Sequence, residues 1–243
     1  LESLASEIDG TPEVRPAAVH DDDALRSALE GASLVINCAG PFSKIGEPVV
    51  QAAIDVGAHY FDTTGEQLFM REIFERYESA ARKAEVSVVN AFAFEVALGD
   101  WAAALAAQAL PGAPLDEVSV SYAIDSFRPS TGTQLSMLAS LKDGGCVWTH
   151  DRWEPVSLAA ETRVVPYPQP FGMREALSFP SGEVITIPRH IDTARVQTFV
   201  SLTDDSPLGR VVTRGASLFG PLVSTLAQSP LGALARAKLS EHV

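Results

Sequence analysis

Short apolar runs and amphipathic stretches alternate along the first 110 residues. Residues 33–38 (SLVINC) are a continuous apolar run, which predicts a strand buried on both faces of a parallel sheet. Residues 58–62 (AHYFD) and 86–92 (VSVVNAF) predict the next two strands. Between them, residues 47–57 read as a helix ending at Gly57, and residues 67–84 as a long amphipathic helix. A short apolar stretch at 14–19 leads into His20 and Asp21 to Asp23, where carboxylates suit the start of a helix running through Glu30. An Ala-rich helix at 99–110 closes the series. Strands alternating with helices of this length define right-handed βαβ units, and hence an α/β fold with a doubly wound, Rossmann-type parallel sheet.

Beyond residue 110 the period changes. Residues 117–125 (EVSVSYAID) alternate as a half-buried antiparallel strand does. A helix is expected at 130–142, closed by Gly144 and Gly145, then strands at 145–149, 161–166, 176–179, 183–187 and 195–202. Pro180-Ser181-Gly182-Glu183 reads as a hairpin turn between two of them. The pattern predicts an α+β module built on an antiparallel sheet. Residues 208–240 are apolar, rich in small residues, and carry Arg210, Arg214, Arg236 and Lys238 with no acid before Glu241. Pro221 and Pro230 divide them into short helical pieces that suit either core packing, a second subunit or peripheral contact with a membrane. The resulting division is 1–112, 113–205 and a C-terminal helical segment, 206–243.

The 243 residues carry 18 Lys and Arg against 31 Asp and Glu, and the excess acid falls mainly in the first half. A net charge of −13 argues against nucleic acid as a partner. Two cysteines, Cys38 and Cys146, form no close pair, which fits a reduced cytoplasmic compartment and makes a metal site unexpected. No uninterrupted apolar run reaches the roughly 18 residues of a spanning helix.

In open α/β sheets ligands bind at the carboxyl ends of the strands, so three turns are candidates. The first is Asn37-Cys38-Ala39-Gly40-Pro41-Phe42, where Gly40 admits close approach of backbone to a ligand. The second, Asp62-Thr63-Thr64-Gly65-Glu66, offers hydroxyls and a carboxylate to a ribose or amide, or a capping box with Thr63 or Thr64 as N-cap. The third places Phe94 and Glu95 just after a strand. Cys38 lacks a partner base for nucleophilic chemistry, and His20 and His59 lack ligand spacing. Arg174, Arg189 and His190 are candidates for an acidic substrate or a phosphate, or are solvated loop residues. A G-x-G-x-x-G turn is absent, and the chain opens on what reads as the tail of a helix. About 35–50 further residues carrying the first βα unit are therefore expected ahead of Leu1.

Residues 33–48 (SLVINCAGPFSKIGEP), 58–66 (AHYFDTTGE) and 90–100 (NAFAFEVALGD) resemble the saccharopine-dehydrogenase-like oxidoreductases, a family that includes trans-acting enoyl reductases. The likeness rests on Asn37, Gly40, Pro41 and Phe42; Gly46, Glu47 and Pro48; Tyr60, Asp62, Thr64, Gly65 and Glu66; and Phe94, Glu95 and Asp100. Ala18 and Ala97 depart from it, standing where an acidic residue and a proline are usual. The resemblance implies a cofactor, NADP or NAD, bound along Asn37, Cys38, Ala39, Gly40, Pro41 and Phe42, along Thr64, Gly65 and Glu66, and near Phe94 and Glu95. It implies hydride transfer to a C=C or C=N bond of a small-molecule or lipid-like substrate, and a homodimer. No catalytic residue transfers from the family, and Tyr60, Glu66 and Glu95 are candidate proton donors only. A non-catalytic dinucleotide-binding or lipid-associated scaffold is the alternative.

Overall fold

A computed structural model describes residues 12–124 and 144–202 except 111, 113 and 158, together with residues 7 and 10. Helix α1 (Asp22–Leu29) starts where the acidic cluster predicts, with the Asp21 carboxylate accepting the Ala24 N–H at 2.9 Å. Then follow β1 (Leu34–Asn37), α2 (Phe42–Asp55), β2 (His59–Asp62), α3 (Gln67–Lys83), β3 (Val88–Val89) and α4 (Phe94–Ala109). The three strands are parallel in the order β1-β2-β3, and Asn37 and Asp62 are register partners. The Rossmann-type alternation is thus present. Helices α2 and α4 begin about one turn earlier than the pattern predicts, and β3 is shorter.

One core fills the space between this sheet and α2 and α3, with Val35, Tyr60, Val50, Phe69 and Ile73 at its centre. Gly46 sets the approach of the two helices, since a Cβ there would lie 2.7 Å from the Phe69 ring. The other face differs from expectation. Leu34 and Ile36 alternate away from Val35, and Ile36 is 64% exposed because no described residue packs over it.

The second sheet holds β4 (Val118–Ile124), β5 (Gly145–Thr149), β6 (Arg152–Val156), β7 (Thr162–Pro166), β8 (Met173–Ser178) and β9 (Arg195–Leu202). Strand β9 is its axis. On one side it pairs with β4 along seven residues; on the other, β5 takes its first residues and β8 its later ones. The β4–β9 pairing is parallel, so the sheet is mixed and the expected antiparallel setting of residues 117–125 is corrected. Period-two alternation reports burial of one face and carries no information about the direction of a neighbour.

Residues 183–187 also depart from the pattern. They form a short helix, α5 (Glu183–Thr186), running into a 3-10 turn at Ile187–Arg189. The expected hairpin turn at 180–183 instead launches this helix, with the Gly182 carbonyl accepting the N–H groups of Ile185 and Thr186. The β-branched run reads as a strand, but Val184, Ile185 and Ile187 are all buried in a second core with Met70, Val96, Ala103, Val120 and Cys146. Tertiary burial overrides local propensity here. The helix expected at 130–142 and the segment 208–240 lie outside the described residues. Among the described residues no helix is long and apolar enough to cross a membrane.

Gly46→Val is expected to destabilise the protein by about 1–3 kcal/mol, measured as a lower urea midpoint. The strain of a side chain against Phe69 outweighs the roughly 1 kcal/mol or less that a helix gains on losing a glycine. An unchanged midpoint would show that α2 and α3 do not pack at this distance.

Candidate functional site

The three parallel strands each end in a polar residue: Asn37 on β1, Asp62 on β2 and Asn90 just after β3. Asp62 is fully buried and joins them. Its Oδ1 accepts the backbone N–H groups of Ala91 at 2.7 Å and Thr64 at 3.1 Å. Its Oδ2 accepts the Tyr60 hydroxyl at 3.0 Å and the Asn90 amide at 2.6 Å. Tyr60 in turn accepts from the Asn37 amide at 3.2 Å, and Asn37 Oδ1 accepts the Ala39 N–H at 3.0 Å, shaping the start of the first turn.

Burial pushes the Asp62 carboxyl above its ordinary range, and its four donors pull it back. Burial and the neighbouring Asp62 raise the Tyr60 phenol strongly, so it remains a protonated donor. Tyr60 is fully buried with its hydroxyl engaged on both sides, which removes it from direct contact with a substrate. Ala91 sits at φ 56°, in the left-handed region, anchored by its N–H on Asp62. Such a position in a non-glycine residue costs about 1–3 kcal/mol and persists where the surroundings enforce it.

Asn90 is buried and its Oδ1 has no hydrogen-bond partner among the described residues. Its orientation is fixed, because the NH2 group must face the Asp62 acceptor. An unpartnered acceptor is thereby enclosed beneath the strand ends.

The second turn performs two structural tasks. Thr64 Oγ1 accepts the Glu66 N–H at 3.0 Å, which replaces the expected capping box, since the N-cap of α3 is Glu66 itself. The Glu66 carboxylate reaches across to α2, where its oxygens accept the N–H groups of Phe42 at 2.8 Å and Ser43 at 2.9 Å. A carboxylate at a helix N-terminus meets both free donors and the positive dipole end. The next residue, Gln67, donates to the carbonyls of Cys146 and Ser181 at 3.0 and 2.8 Å and accepts the Cys146 N–H at 2.8 Å. It fastens the second sheet to the strand ends.

The candidate residues therefore fall into two groups. Asn37, Phe42, Thr64 and Glu66 are buried and shape the turns. Cys38, Ala39, Gly40, Gly65 and Phe94 are exposed, while Pro41 and Glu95 are half-buried. A Cβ on Gly65 would meet only Glu95 Oε1, at 3.7 Å, so open space lies between the second turn and the first turn of α4. Arg174 donates to the Phe171 carbonyl; Arg189 pairs with Glu78 over the Phe74 ring; His190 meets Asp100. Sequence reasoning overlooked Asn90 and Gln67 and the central place of Asp62. The signal was available in the runs VIN, YFD and VVN, each an apolar strand ending in a polar group.

The fold and these turns define the class, a Rossmann-type domain with its ligand end built around a buried aspartate. Comparison with known proteins shows what the first part of the chain is similar to. Residues 3–89 match the saccharopine dehydrogenase NADP binding domain, which bears out the resemblance to saccharopine-dehydrogenase-like oxidoreductases. A probable mitochondrial saccharopine dehydrogenase-like oxidoreductase of Arabidopsis thaliana is 37% identical over 79 residues, 32% of this chain and 17% of that protein. A lipid droplet localized protein of Caenorhabditis elegans is 35% identical over 29% of this chain and 17% of its own length. A putative trans-acting enoyl reductase of Mycobacterium tuberculosis is 33% identical over 30% of this chain and 19% of its own length. The match thus spans less than one fifth of each of these relatives.

Asp62→Asn is expected to lower stability by about 1–3 kcal/mol, read by urea unfolding. Asparagine keeps the shape but turns an NH2 group toward two of the four donors. A variant as stable as the parent would show that the carboxylate does not organise the strand ends.

Proposed function

We propose that this protein is an NADP- or NAD-dependent oxidoreductase that reduces a C=C or C=N bond of a small, lipid-like molecule. Residues 1–112 form the cofactor domain and residues 113–205 the substrate-facing module. The observation that carries this reading is the coincidence of the NADP-binding match at 3–89 with the strand-end turns tied to Asp62. Bound there, a reduced nicotinamide supplies the hydride. The chain's own residues do the rest. The backbone of residues 38–42 and 64–66 would border a bound cofactor, and the exposed positions among them, Cys38, Ala39, Gly40 and Gly65, are open to it. Phe92, which stacks edge-on against Phe61 and Trp101 and is half exposed, would help to exclude water from a nicotinamide bound beside it.

Enoyl reduction and a lipid-related substrate are supported by the names of the mycobacterial and nematode relatives and by the apolar, basic composition of residues 208–240. The protein works as a homodimer in the cytoplasm or at a lipid surface. A second reading, a non-catalytic dinucleotide-binding scaffold, draws on the nematode relative, which is named for its lipid-droplet location.

Calorimetry with NADPH and NADH tests the proposal. At least one is expected to bind, and Gly65→Val is expected to weaken that binding about tenfold or more, or about 1.4 kcal/mol, at an unchanged melting temperature. Its side chain would fill the space beside Glu95 without meeting backbone. Absence of binding at millimolar concentration would overturn the oxidoreductase reading. Binding without NADPH oxidation by any enoyl or imine substrate would favour the scaffold.

A further inference from the structure

A second fully buried acid lies against α4, opposite Gly99. Glu183, the first residue of α5, is fully buried. Its Oε1 accepts the Tyr122 hydroxyl of β4, and its Oε2 accepts the Ser181 hydroxyl. Among the described residues no cation pairs with it; the charged groups that face the pair from α4 are Glu95 and Asp100, both acidic. Gly99 of α4 permits the close approach. A Cβ there would lie 2.6 Å from Glu183 Oε1 and collide with the Tyr122 hydroxyl.

The position connects this pair with the strand-end site. Glu95 borders Gly65 of the second turn, and Gly99 follows Glu95 by about 6 Å along α4. Tyr122 is half-buried and opens onto a groove of about 470 Å³ between α4 and β4, walled by Leu98, Ala102, Ala106, Val118 and Val120. Tyrosine thus stands between the groove and a carboxyl that has no route to solvent of its own. Burial pushes Glu183 up to about 7, and burial together with Glu183 pushes the Tyr122 phenol upward. An acid that is still protonated near neutrality, reached through a hydroxyl, is what general-acid chemistry requires. A buried carboxyl kept only for stability has a competitor, since apolar residues of equal volume serve as well or better.

We propose that Tyr122 donates the proton that completes the reduction, and that Glu183 restores it. This rests on the reductase reading above. The Tyr122 O–H bond breaks as its proton bonds to the atom of the double bond that does not receive the hydride of the reduced nicotinamide. The Glu183 carboxyl passes its proton to the Tyr122 oxygen, and a proton from water in the groove returns to the carboxylate through the Tyr122 hydroxyl, with hydroxide left to the solvent. Glu183 acts through Tyr122 and is a positioning and proton-supplying residue.

The test uses the full-length protein, Tyr122→Phe and Glu183→Gln, with NADPH and crotonyl-CoA as probes. All three are expected to bind NADPH equally by calorimetry. In Tyr122→Phe, kcat for NADPH oxidation is expected to fall about a hundredfold to ten-thousandfold with KM little changed. The parent kcat is expected to fall as pH rises above about 7, and Glu183→Gln to move that fall. One readout needs no substrate. The folded-state value of Glu183 lies above the ordinary 4.5, so its stabilising contribution is full below that pH and is lost as pH rises toward about 7. The urea midpoint of the parent should show this decline, and in Glu183→Gln it should be shallower, with only the part from Asp62 remaining. A midpoint decline as steep in Glu183→Gln as in the parent overturns the proton store. Full activity in Tyr122→Phe overturns the donor while leaving the reductase intact. NADPH binding with no turnover by the parent overturns both the reductase reading and the donor.

Discussion

A buried carboxylate with no cation paired to it among the described residues is the constraint on which the strand-end architecture depends. Asp62 cannot reach water, so every lone pair it presents must meet a donor inside the protein. Four donors converge on it from β2, from the turn after β2 and from the turn after β3. Each is drawn into place by a charge-assisted bond, roughly twice as strong as a neutral one. The turn after β2 and the left-handed Ala91 after β3 are shaped by the same group. Two of the three loops that border the candidate site therefore have one origin.

The next two polar residues extend that order outward. Glu66 leaves the Asp62-anchored turn to cap α2, which fixes where the first loop ends. Gln67 leaves it in the opposite direction and binds backbone on both β5 and residue 181. An amide side chain that pairs with an N–H and two carbonyls behaves as a single residue of strand, and its fork geometry holds the second sheet in register with the site. Three near-consecutive polar positions, 62, 66 and 67, thus position loop, helix and second sheet relative to one another. The apolar cores supply stability on either side, but they leave orientation loosely specified. The polar chain supplies it.

Much of this was legible in the sequence, and the exceptions share a cause. Strands β1 and β2 and helices α1 and α3 announce themselves because their burial is decided by neighbours close in the chain. Residues 183–187 do not. Their β-branched pattern favours a strand, and only their enclosure by α3, α4 and β9 makes a helix the better solution. The parallel setting of β4 is hidden for the same reason, because its partner lies more than seventy residues away. Within the site, the turns could be found from the Gly and Pro positions that interrupt apolar runs. The division of labour within them could not. Glu66 reads as a ligand for a bound molecule, yet its carboxylate serves the Phe42 and Ser43 amides, a pairing set by the register of β1 against β2.

The two fully buried acids, Asp62 and Glu183, also show how surroundings decide what a carboxyl can do. Both are fully enclosed, and burial raises both. Two of the donors to Asp62 are backbone N–H groups, which cannot reverse and would be left unpaired or forced against a proton if the group were neutralised. Glu183 is held by two hydroxyls, from Tyr122 and Ser181. A hydroxyl can rotate and accept as readily as it donates. Glu183 can therefore gain or lose a proton while keeping both partners, and Asp62 cannot. The rigid donor set makes one acid a fastener for the fold, whereas the reversible set leaves the other free to exchange its proton.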